Sequence, residues 1–323
     1  MELLFIPFSE STKYAAAIPM AGYSREYHNF VKKRYGMSSG FLELRDNGKL
    51  LSIVPVCHND STLYAFYKEY TEPKTFDASP IAWNEVADLA RKKLKLKSAE
   101  FYFAGIHEAE YRGMKSTGFS TYVFRMKGIT DGDAIRSRFH NRTRLHKAER
   151  FGFDFRIIGE ESLHAIYDLY LENMHRHGTP PRSLGFFQDL FACFGKACYG
   201  ISLYDKDVLA GLNLMVSTNG YARMHFNISK KEYWEHCVNN LLYVKTIEHA
   251  LASGVSLVDF GGAPDTDTSH NRFKMGFGLE RVPLQKVFAG SYIHRIPAWM
   301  KNKKRNLTIR ITKLKRLFRP VKP

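Results

Sequence analysis

The chain has 323 residues, of which 44% are hydrophobic and 14% aromatic, which is enough to fill hydrophobic cores and excludes an extensively disordered protein. Its net charge of +16 is concentrated in residues 136–150 and 301–323, which favours two local contacts with polyanions over a generally adhesive surface. The four cysteines show no zinc-type spacing, and neither a signal peptide nor an apolar run of about 18 residues is present, so we expect a cytoplasmic protein with reduced thiols.

The first half of the chain predicts elements in the order helix, hairpin, helix, strand, turn and strand. The segments that predict them are the amphipathic helix REYHNFVKKRYG, the hairpin FLELRDNGKLLSIVPV with an Asn-Gly turn, the helix WNEVADLARKKLK, the strand AEFYFAG and the segment YRGMKSTGFSTYVF.

The second half repeats this order. Its segments are the helix ESLHAIYDLYLENMHRHG, the strands CYGISLYD and VLAGLNLMVSTNGYARMHFNIS with a second Asn-Gly turn, the helix NNLLYVKTIEHALASG, the strand SLVDFGG and the segment FKMGFGLERVPLQKVF. Between SLVDFGG and FKMGFG, the run APDTDTSH predicts a polar loop. The pairing of FYFAG with VDFGG and of RGMKSTGF with RFKMGFG is the most specific repeat, and it indicates a duplicated α/β unit.

These patterns predict an α/β protein with four parts. They are an N-terminal unit over 1–135, a basic interdomain helix over 136–152 that ends at Gly152, a second unit over 153–300 and a basic tail over 301–323. In the tail, Leu307, Ile311, Leu314 and Phe318 recur at helical spacing among ten Lys/Arg residues and no acid. Such a tail can lie on an anionic membrane surface, bind nucleic acid while its apolar stripe packs on the body, or be solvated and partly frayed.

The second half resembles the FemABX family of peptidyltransferases, a branch of the GNAT-like acyltransferases built from two tandem GNAT-like domains. The segments that carry the resemblance are RTRLHKAERFGFDF, LYLENMHRHGTPP, NNLLYVKTIEHALASGVSLVDFGG and FKMGFG, the last of which matches the family pattern F-K-x-x-[FW]-G. The resemblance covers roughly residues 130–290, and it reaches the first half only through the order of elements.

The resemblance implies two tandem GNAT-like domains with mixed sheets flanked by helices. It implies transfer of an acyl group, typically an aminoacyl group from aminoacyl-tRNA, to an amine of a cell-wall peptide or envelope glycan precursor. The C-terminal domain would carry the chemistry and a degenerate N-terminal domain would help to form the acceptor cleft. The family's motif lysine corresponds to Lys274 and its neighbour to Phe273. No cofactor is implied besides the acyl donor.

The residues around Lys274 suit that chemistry. Attack of an amine on an ester or thioester carbonyl forms an oxyanion, and one cation or N–H donor beside it contributes about 3 kcal/mol. Lys274 could be that cation, Gly276 and Gly278 would let the backbone approach a ligand, and Phe273 and Phe277 would exclude water. The alternative is a glycine-punctuated turn whose lysine faces solvent.

The amine nucleophile also needs a base. Asp259 is predicted to end its strand facing the cleft of Lys274, where it could act as that base, or else form an ion pair or cap a helix. Asn240 and Tyr243 open the last predicted helix, whose N-terminus a GNAT-like fold directs at the donor phosphates. The segment KEYWEHCVNNLL there lacks the glycines of the acyl-CoA pyrophosphate loop, which weakens an acyl-CoA interpretation.

Other polar residues permit two interpretations each. Arg223, His225 and Asn227 alternate along one strand and could bind the acceptor or be an ordinary sheet surface. His175 and His177 are two residues apart and cannot share a helix face, so we predict no metal site. The interdomain bases that could contact phosphates of tRNA or of the acceptor, or form a solvated helix face, are Arg138, Arg142, Arg144 and Lys147.

Two alternatives to the FemABX-like function stay open at the level of sequence. One is an acyl-CoA-dependent N-acyltransferase acting on an amino sugar or small amine. The other is a non-catalytic RNA- or membrane-binding module that uses the two basic segments.

Overall fold

The structure, a computed structural model, describes residues 2–14, 17, 20–65, 71–77, 80–106 and 111–290. The predicted basic tail over 301–323 and the last ten residues of the predicted second unit lie outside the described residues. Within them, the chain forms an α/β fold with helices flanking one large mixed sheet.

Thirteen strands join this sheet within the described residues. They are β1 (Glu2–Pro7), β2 (Ser38–Asp46), β3 (Lys49–His58), β4 (Thr62–Ala65), β5 (Lys74–Thr75), β6 (Ser98–Ala104), β7 (Lys115–Arg125), β8 (Asp154–Ile158), β9 (Cys198–Asp205), β10 (Val208–Thr218), β11 (Tyr221–Ser229), β12 (Leu257–Pro264) and β13 (Glu280–Gly290).

The helices in the same ranges are α1 (Arg25–Tyr35), α2 (Trp83–Lys93), α3 (Gly132–Ser137), α4 (Arg142–Phe151), α5 (Leu163–Arg176), α6 (Leu184–Phe194), α7 (Val238–Ala252) and α8 (Thr268–Met275). Adjacent residues of β10 show that helices cover both faces of the sheet: Leu212 packs in a cluster with α5 and α6, whereas Asn213 donates to Thr246 on α7.

The order of strands is β1-β2-β3-β4-β6-β13-β7-β12-β11-β10-β9-β8, with β5 paired to β3. The two halves of the chain therefore exchange a strand. β7, from the first half, pairs with β12, and β13, from the second half, pairs with β6. β7 and β13 also pair with each other at the centre. The parallel pairs β4/β6 and β11/β12 occupy matching positions on either side, as a duplicated unit requires.

The two predicted Asn-Gly hairpins are confirmed. Asn47 and Gly48 join β2 to β3 with φ of 49° and 78°, and Asn219 and Gly220 join β10 to β11 with φ of 55° and 75°. Positive φ at both central residues is the type I′ geometry that matches the strand twist, and asparagine and glycine tolerate it best.

The predicted basic interdomain helix is divided into α3 and α4 by residues 138–141. The break has a packing reason: it buries Phe139 against Phe277, with ring centroids 5.6 Å apart, and lets the His140 backbone N–H donate to the Gly276 carbonyl. α4 ends, as predicted, at Gly152, whose φ of 81° places it in the left-handed region.

Candidate functional site

The candidate site lies where two parallel strands separate. β11 and β12 pair only from Tyr221 with Leu257 to Arg223 with Asp259. Directly after that point, a bulge in the β10/β11 ladder leaves His225 without a partner in register. Because a bulge bends its strand, β11 and β12 separate here. Beyond Arg223 and Asp259, β11 continues to Ser229 and β12 to Pro264 without pairing with each other, and we call the opening between these two sections the wedge.

Lys274 closes the base of this wedge. Its ammonium donates to the carbonyl oxygens of Phe260 at 3.0 Å and Gly261 at 2.7 Å, the first residues of β12 beyond the paired section. It also lies 5.1 Å from the centroid of the Tyr122 ring. The residue is only 7% exposed, which rules out the solvent-facing alternative. Two of its three N–H groups donate to these carbonyl oxygens, and the third makes no hydrogen bond to the residues that the structure describes.

Burial lowers the pKa of Lys274 to about 8, against the attraction of Asp259, which raises it, while Arg223 lowers it further. The amine of Lys274 is thus mostly protonated at neutral pH, and it loses its proton about one pH unit higher. A cation held in a site of low polarity interacts more strongly with a developing negative charge than one in water.

Lys274 lies on helix α8, not at the mouth of a polar loop as the sequence indicated. The reason is Asp267, whose side chain accepts a hydrogen bond from the His270 backbone N–H and so caps the helix. Asp267 stands directly before the first residue of the helix, and an aspartate at such an N-cap position is a helix-start signal that the sequence interpretation missed.

The predicted aromatic surroundings are present, with Tyr243 at their centre. The Tyr243 ring stacks between Phe260, at a centroid distance of 4.6 Å, and Phe277, at 4.7 Å, and Phe273 meets it edge-on at 5.3 Å. Burial raises the pKa of Tyr243. The rings form one packed cluster that joins α7, β12 and the α8 segment carrying Lys274, and such a cluster excludes water from its interior.

Asp259 does not end its strand: β12 continues to Pro264, and the carboxylate is fully buried. Oδ1 accepts from Thr121 Oγ1 at 2.6 Å and the Gly261 N–H at 2.8 Å, and Oδ2 accepts from the Tyr221 hydroxyl at 2.6 Å. The prediction that it faces the cleft is therefore wrong. The carboxylate raises the pKa of Lys274 through its charge, and at 0% exposure it has no surface for contact with an acceptor.

Gly276 and Gly278 make close backbone approaches, but to the interdomain segment. A Cβ on Gly276 would lie 3.1 Å from the Asn141 side chain, and one on Gly278 would lie 2.9 Å from Arg138 Cβ. Their contact with a ligand remains a prediction, whereas their role in docking α8 on residues 138–141 is direct.

The predicted triad on β11 does not behave as one regular surface because of the bulge. Asn227 donates to Asn213 at 2.6 Å, in a network that continues to Thr246 on α7. His225 is half-buried, and burial together with Arg223 and Arg182 lowers its pKa to about 3. His225 is therefore neutral, and it lies at the wedge with the cationic group of Arg223.

Helix α7 begins one residue before the predicted segment, which starts at Asn239. The helix begins at Val238 after Cys237, which has a left-handed φ of 58°. Asn240 is buried at 5% exposure, and its Nδ2 has no hydrogen-bond partner among the described residues. A buried amide N–H without a partner is costly, and a hydrogen-bond acceptor on a ligand at this helix N-terminus would satisfy it.

The interdomain bases form an exposed surface. Arg136 pairs with Glu149 at 3.2 Å and Glu248 at 2.9 Å and is thereby tied to the protein. Four others are exposed and make no ion pair within the described residues, namely Arg138, Arg142, Arg144 and Lys147. Their contact with phosphates remains a prediction.

Two further observations concern the whole described chain. Among its His, Cys, Asp and Glu side chains, no group of three or more is placed to hold a metal ion. No helix in the described ranges is both long and apolar enough to cross a membrane.

Comparison with known proteins agrees with this geometry. Residues 136–275 match the family model of the acetyltransferase (GNAT) domain. No curated protein sequence matches the chain significantly. Among solved structures, FemX is similar with a TM-score of 0.65 at 12% identity, over 88% of this chain and 97% of FemX.

Two other solved structures share the fold. The C-terminal domain of a putative lysylphosphatidylglycerol synthetase from Agrobacterium fabrum has a TM-score of 0.57 at 12% identity, over 87% of this chain and 91% of that domain. A tandem GNAT protein from the clavulanic acid biosynthesis pathway has a TM-score of 0.52 at 14% identity, over 90% of this chain and 99% of that protein. At these identities the likeness establishes the fold alone.

Residues 136–275 therefore match a GNAT acetyltransferase domain, and the solved structures show a GNAT-like fold around it. The GNAT-like fold that the resemblance to the FemABX family implied is confirmed. Of the structures compared, three extend that fold over most of both halves of the chain.

Proposed function

We propose that this protein is a FemABX-like transferase that moves an acyl or aminoacyl group, with aminoacyl-tRNA as donor, to an amine of a cell-wall peptide or envelope glycan precursor. The observation that carries the proposal is the buried Lys274 ammonium at the point where β11 and β12 separate, with one N–H that makes no hydrogen bond within the described part of the chain. The proposal assigns that N–H to the oxyanion formed on the donor carbonyl.

The choice of donor rests on the segment before α7. It contains no glycine between Lys230 and Asn240, so it lacks the flexible turn that presents successive N–H groups to a pyrophosphate. The exposed bases of residues 138–147 instead offer several contacts to a nucleic-acid backbone. The likeness to FemX over 97% of its length supports the same proposal at the level of fold.

An acyl-CoA-dependent N-acyltransferase is the second candidate, and the match of residues 136–275 to an acetyltransferase domain favours it. The buried, unpartnered Asn240 amide at the start of α7 could serve either donor. In both cases the proposed location is the cytoplasm or the inner membrane face, with residues 301–323 as the membrane contact.

The test is transfer of label from aminoacyl-tRNA or acyl-CoA to candidate peptide and glycan precursors by the purified protein. We expect transfer from aminoacyl-tRNA, and a loss of about 100-fold in kcat/KM in Lys274→Met, which keeps side-chain length but removes the cation. Lys196→Met, at an exposed position on the surface, is the matched control and should keep full activity.

Each outcome separates the candidates. Transfer from acyl-CoA alone would establish the second candidate in place of the first. Failure of both donors, with retained affinity for RNA or anionic vesicles that Lys274→Met does not change, would identify a binding module instead of an enzyme.

A further inference from the structure

A histidine with a carboxylate partner lies one helical turn before Lys274. Asp267 Oδ2 contacts Nδ1 of His270 at 2.8 Å, while Asp267 Oδ1 accepts from the His270 backbone N–H at 3.1 Å. The His270 side chain is 66% exposed. A carboxylate at Nδ1 favours the tautomer that carries its proton there, which leaves the lone pair on Nε2.

The reaction proposed above needs a base that the residues near Lys274 do not supply. Asp259 is fully buried and accepts three hydrogen bonds, so it cannot touch an acceptor. His225 has a pKa of about 3, which makes it a weak base. Burial raises the pKa of Tyr243, which keeps its hydroxyl protonated. A base with an accessible lone pair must come from elsewhere on the wedge.

His270 lies on α8, one helical turn before Lys274, and residues four apart on a helix have Cβ atoms about 5–6 Å apart. Its imidazole is exposed, so an acceptor can reach Nε2 from the solvent side of the helix, whereas the Lys274 ammonium is buried on the carbonyl oxygens of β12. The charged groups that act on this part of the chain are Asp267, which contacts Nδ1, Arg272 and Lys274 on α8, and Arg176 and His177 at the end of α5, where a charge on His270 contributes to lowering the pKa of His177.

We propose that His270 is the general base of the transfer, held in position by Asp267. This inference rests on the proposed function. The lone pair of the neutral acceptor amine forms the new N–C bond, and the amine N–H proton moves to Nε2 of His270. The oxyanion forms beside Lys274. On its collapse, the bond from carbonyl carbon to the donor oxygen, or to sulfur in a thioester, breaks with its electron pair. The leaving group takes the proton from the imidazolium, which restores His270.

The test compares His270→Ala and Asp267→Asn with wild type in kcat/KM as a function of pH. His270→Ala keeps the backbone N–H that Asp267 caps, and asparagine is itself a good cap, so both variants should keep the wild-type melting temperature. We expect His270→Ala to lose about 100-fold in kcat/KM, as removal of a general base does, and to lose the acidic limb of the profile. Added imidazole should restore part of the rate. Asp267→Asn should lose less in kcat/KM than His270→Ala does. Its pH profile should keep an acidic limb, displaced from that of the wild type.

The chain offers a control histidine on another helix. His164 is exposed near the start of α5, outside the basic segment of residues 138–147. His164→Ala should leave both the rate and the pH profile unchanged. An active wild type whose His270→Ala variant keeps its rate and its acidic limb would overturn this inference alone. A wild type that transfers from neither donor would overturn the proposed function and this inference with it.

Discussion

The burial of Lys274 has a cost in stability, which the chemical role proposed for it would explain. A lysine at 7% exposure has lost most of its hydration, and two carbonyl oxygens and the nearby Asp259 only partly replace it. The lowered pKa measures that imbalance, since it reports how much the fold disfavours the charged form. Charged groups of this kind are typical of functional sites.

The first prediction concerns the pH dependence of stability. Lys274 has a pKa of about 8 in the folded chain, below its ordinary value of 10.5, so between these values the unfolded chain binds more protons and stability rises with pH. Compared with Lys274→Met, the wild type should therefore gain roughly 2–3 kcal/mol in free energy of unfolding between pH 7 and pH 10. Urea unfolding at both pH values measures this, and Lys196→Met should show no such change.

The second prediction concerns Asp259. Its two oxygens accept three hydrogen bonds in a fully buried place. In an asparagine, the side-chain NH2 group would replace one of these oxygens and face a hydrogen-bond donor without an acceptor. Asp259→Asn should cost about 2–4 kcal/mol in stability. It should also lower the pKa of Lys274 below 8, because Asp259 raises it, and so move the basic limb of the activity profile to lower pH. Asp154→Asn, at an exposed ion pair, should change neither.

At the scale of elements, α8 connects the candidate site to the basic segment. Its C-terminal turn packs on residues 138–141, where the Gly276 carbonyl accepts from the His140 N–H and Phe277 contacts Phe139. The position of Lys274 is therefore set by the same contact that breaks the basic helix in two.

The third prediction tests that contact. Gly278 has a φ of 68°, and an added Cβ would lie 2.9 Å from Arg138 Cβ and 3.0 Å from its carbonyl oxygen. Gly278→Ala should cost roughly 2–4 kcal/mol in free energy of unfolding and reduce transfer activity. Gly152→Ala has a similar φ of 81° with open space around it, so it should cost only about 1 kcal/mol. Equal losses in the two variants would show that the Arg138 contact contributes nothing.

At the scale of the whole molecule, the exchange of β7 and β13 makes the halves depend on each other. The sheet of the first half contains β13 between β6 and β7, and the sheet of the second half contains β7 next to β12. A cut between residues 125 and 135 would deprive each half of a central strand. Central strands carry ladder hydrogen bonds on both edges, so their loss leaves two unpaired strands.

The fourth prediction follows from this exchange. The whole chain should unfold in one cooperative thermal transition, measured by calorimetry, and fragments 1–130 and 131–323 should each lack a stable fold by circular dichroism when expressed separately. Two separate transitions in the whole chain, or a folded fragment 131–323, would contradict the exchanged arrangement.

Local patterns were sufficient wherever the cause of a structure is local. The Asn-Gly turns, helices α1 and α2 and the end of α4 at Gly152 follow from residues a few positions apart, and all were predicted correctly. Helix α6 was missed although its sequence is strongly apolar, and α8 was mistaken for a loop because its eight residues give only a weak pattern.

The sequence by itself determined the duplicated α/β plan, the GNAT-like fold and the lysine at which the chemistry is proposed. It did so because turns, hydrophobic periodicity and a short motif each depend on residues that are close together in the sequence. Only the tertiary structure decided that Lys274 is buried on two carbonyl oxygens, that Asp259 is enclosed by Thr121 and Tyr221, and that β7 and β13 change places. Those facts depend on contacts between residues 13 to more than 100 positions apart, and no local pattern specifies which distant partner a buried group will meet.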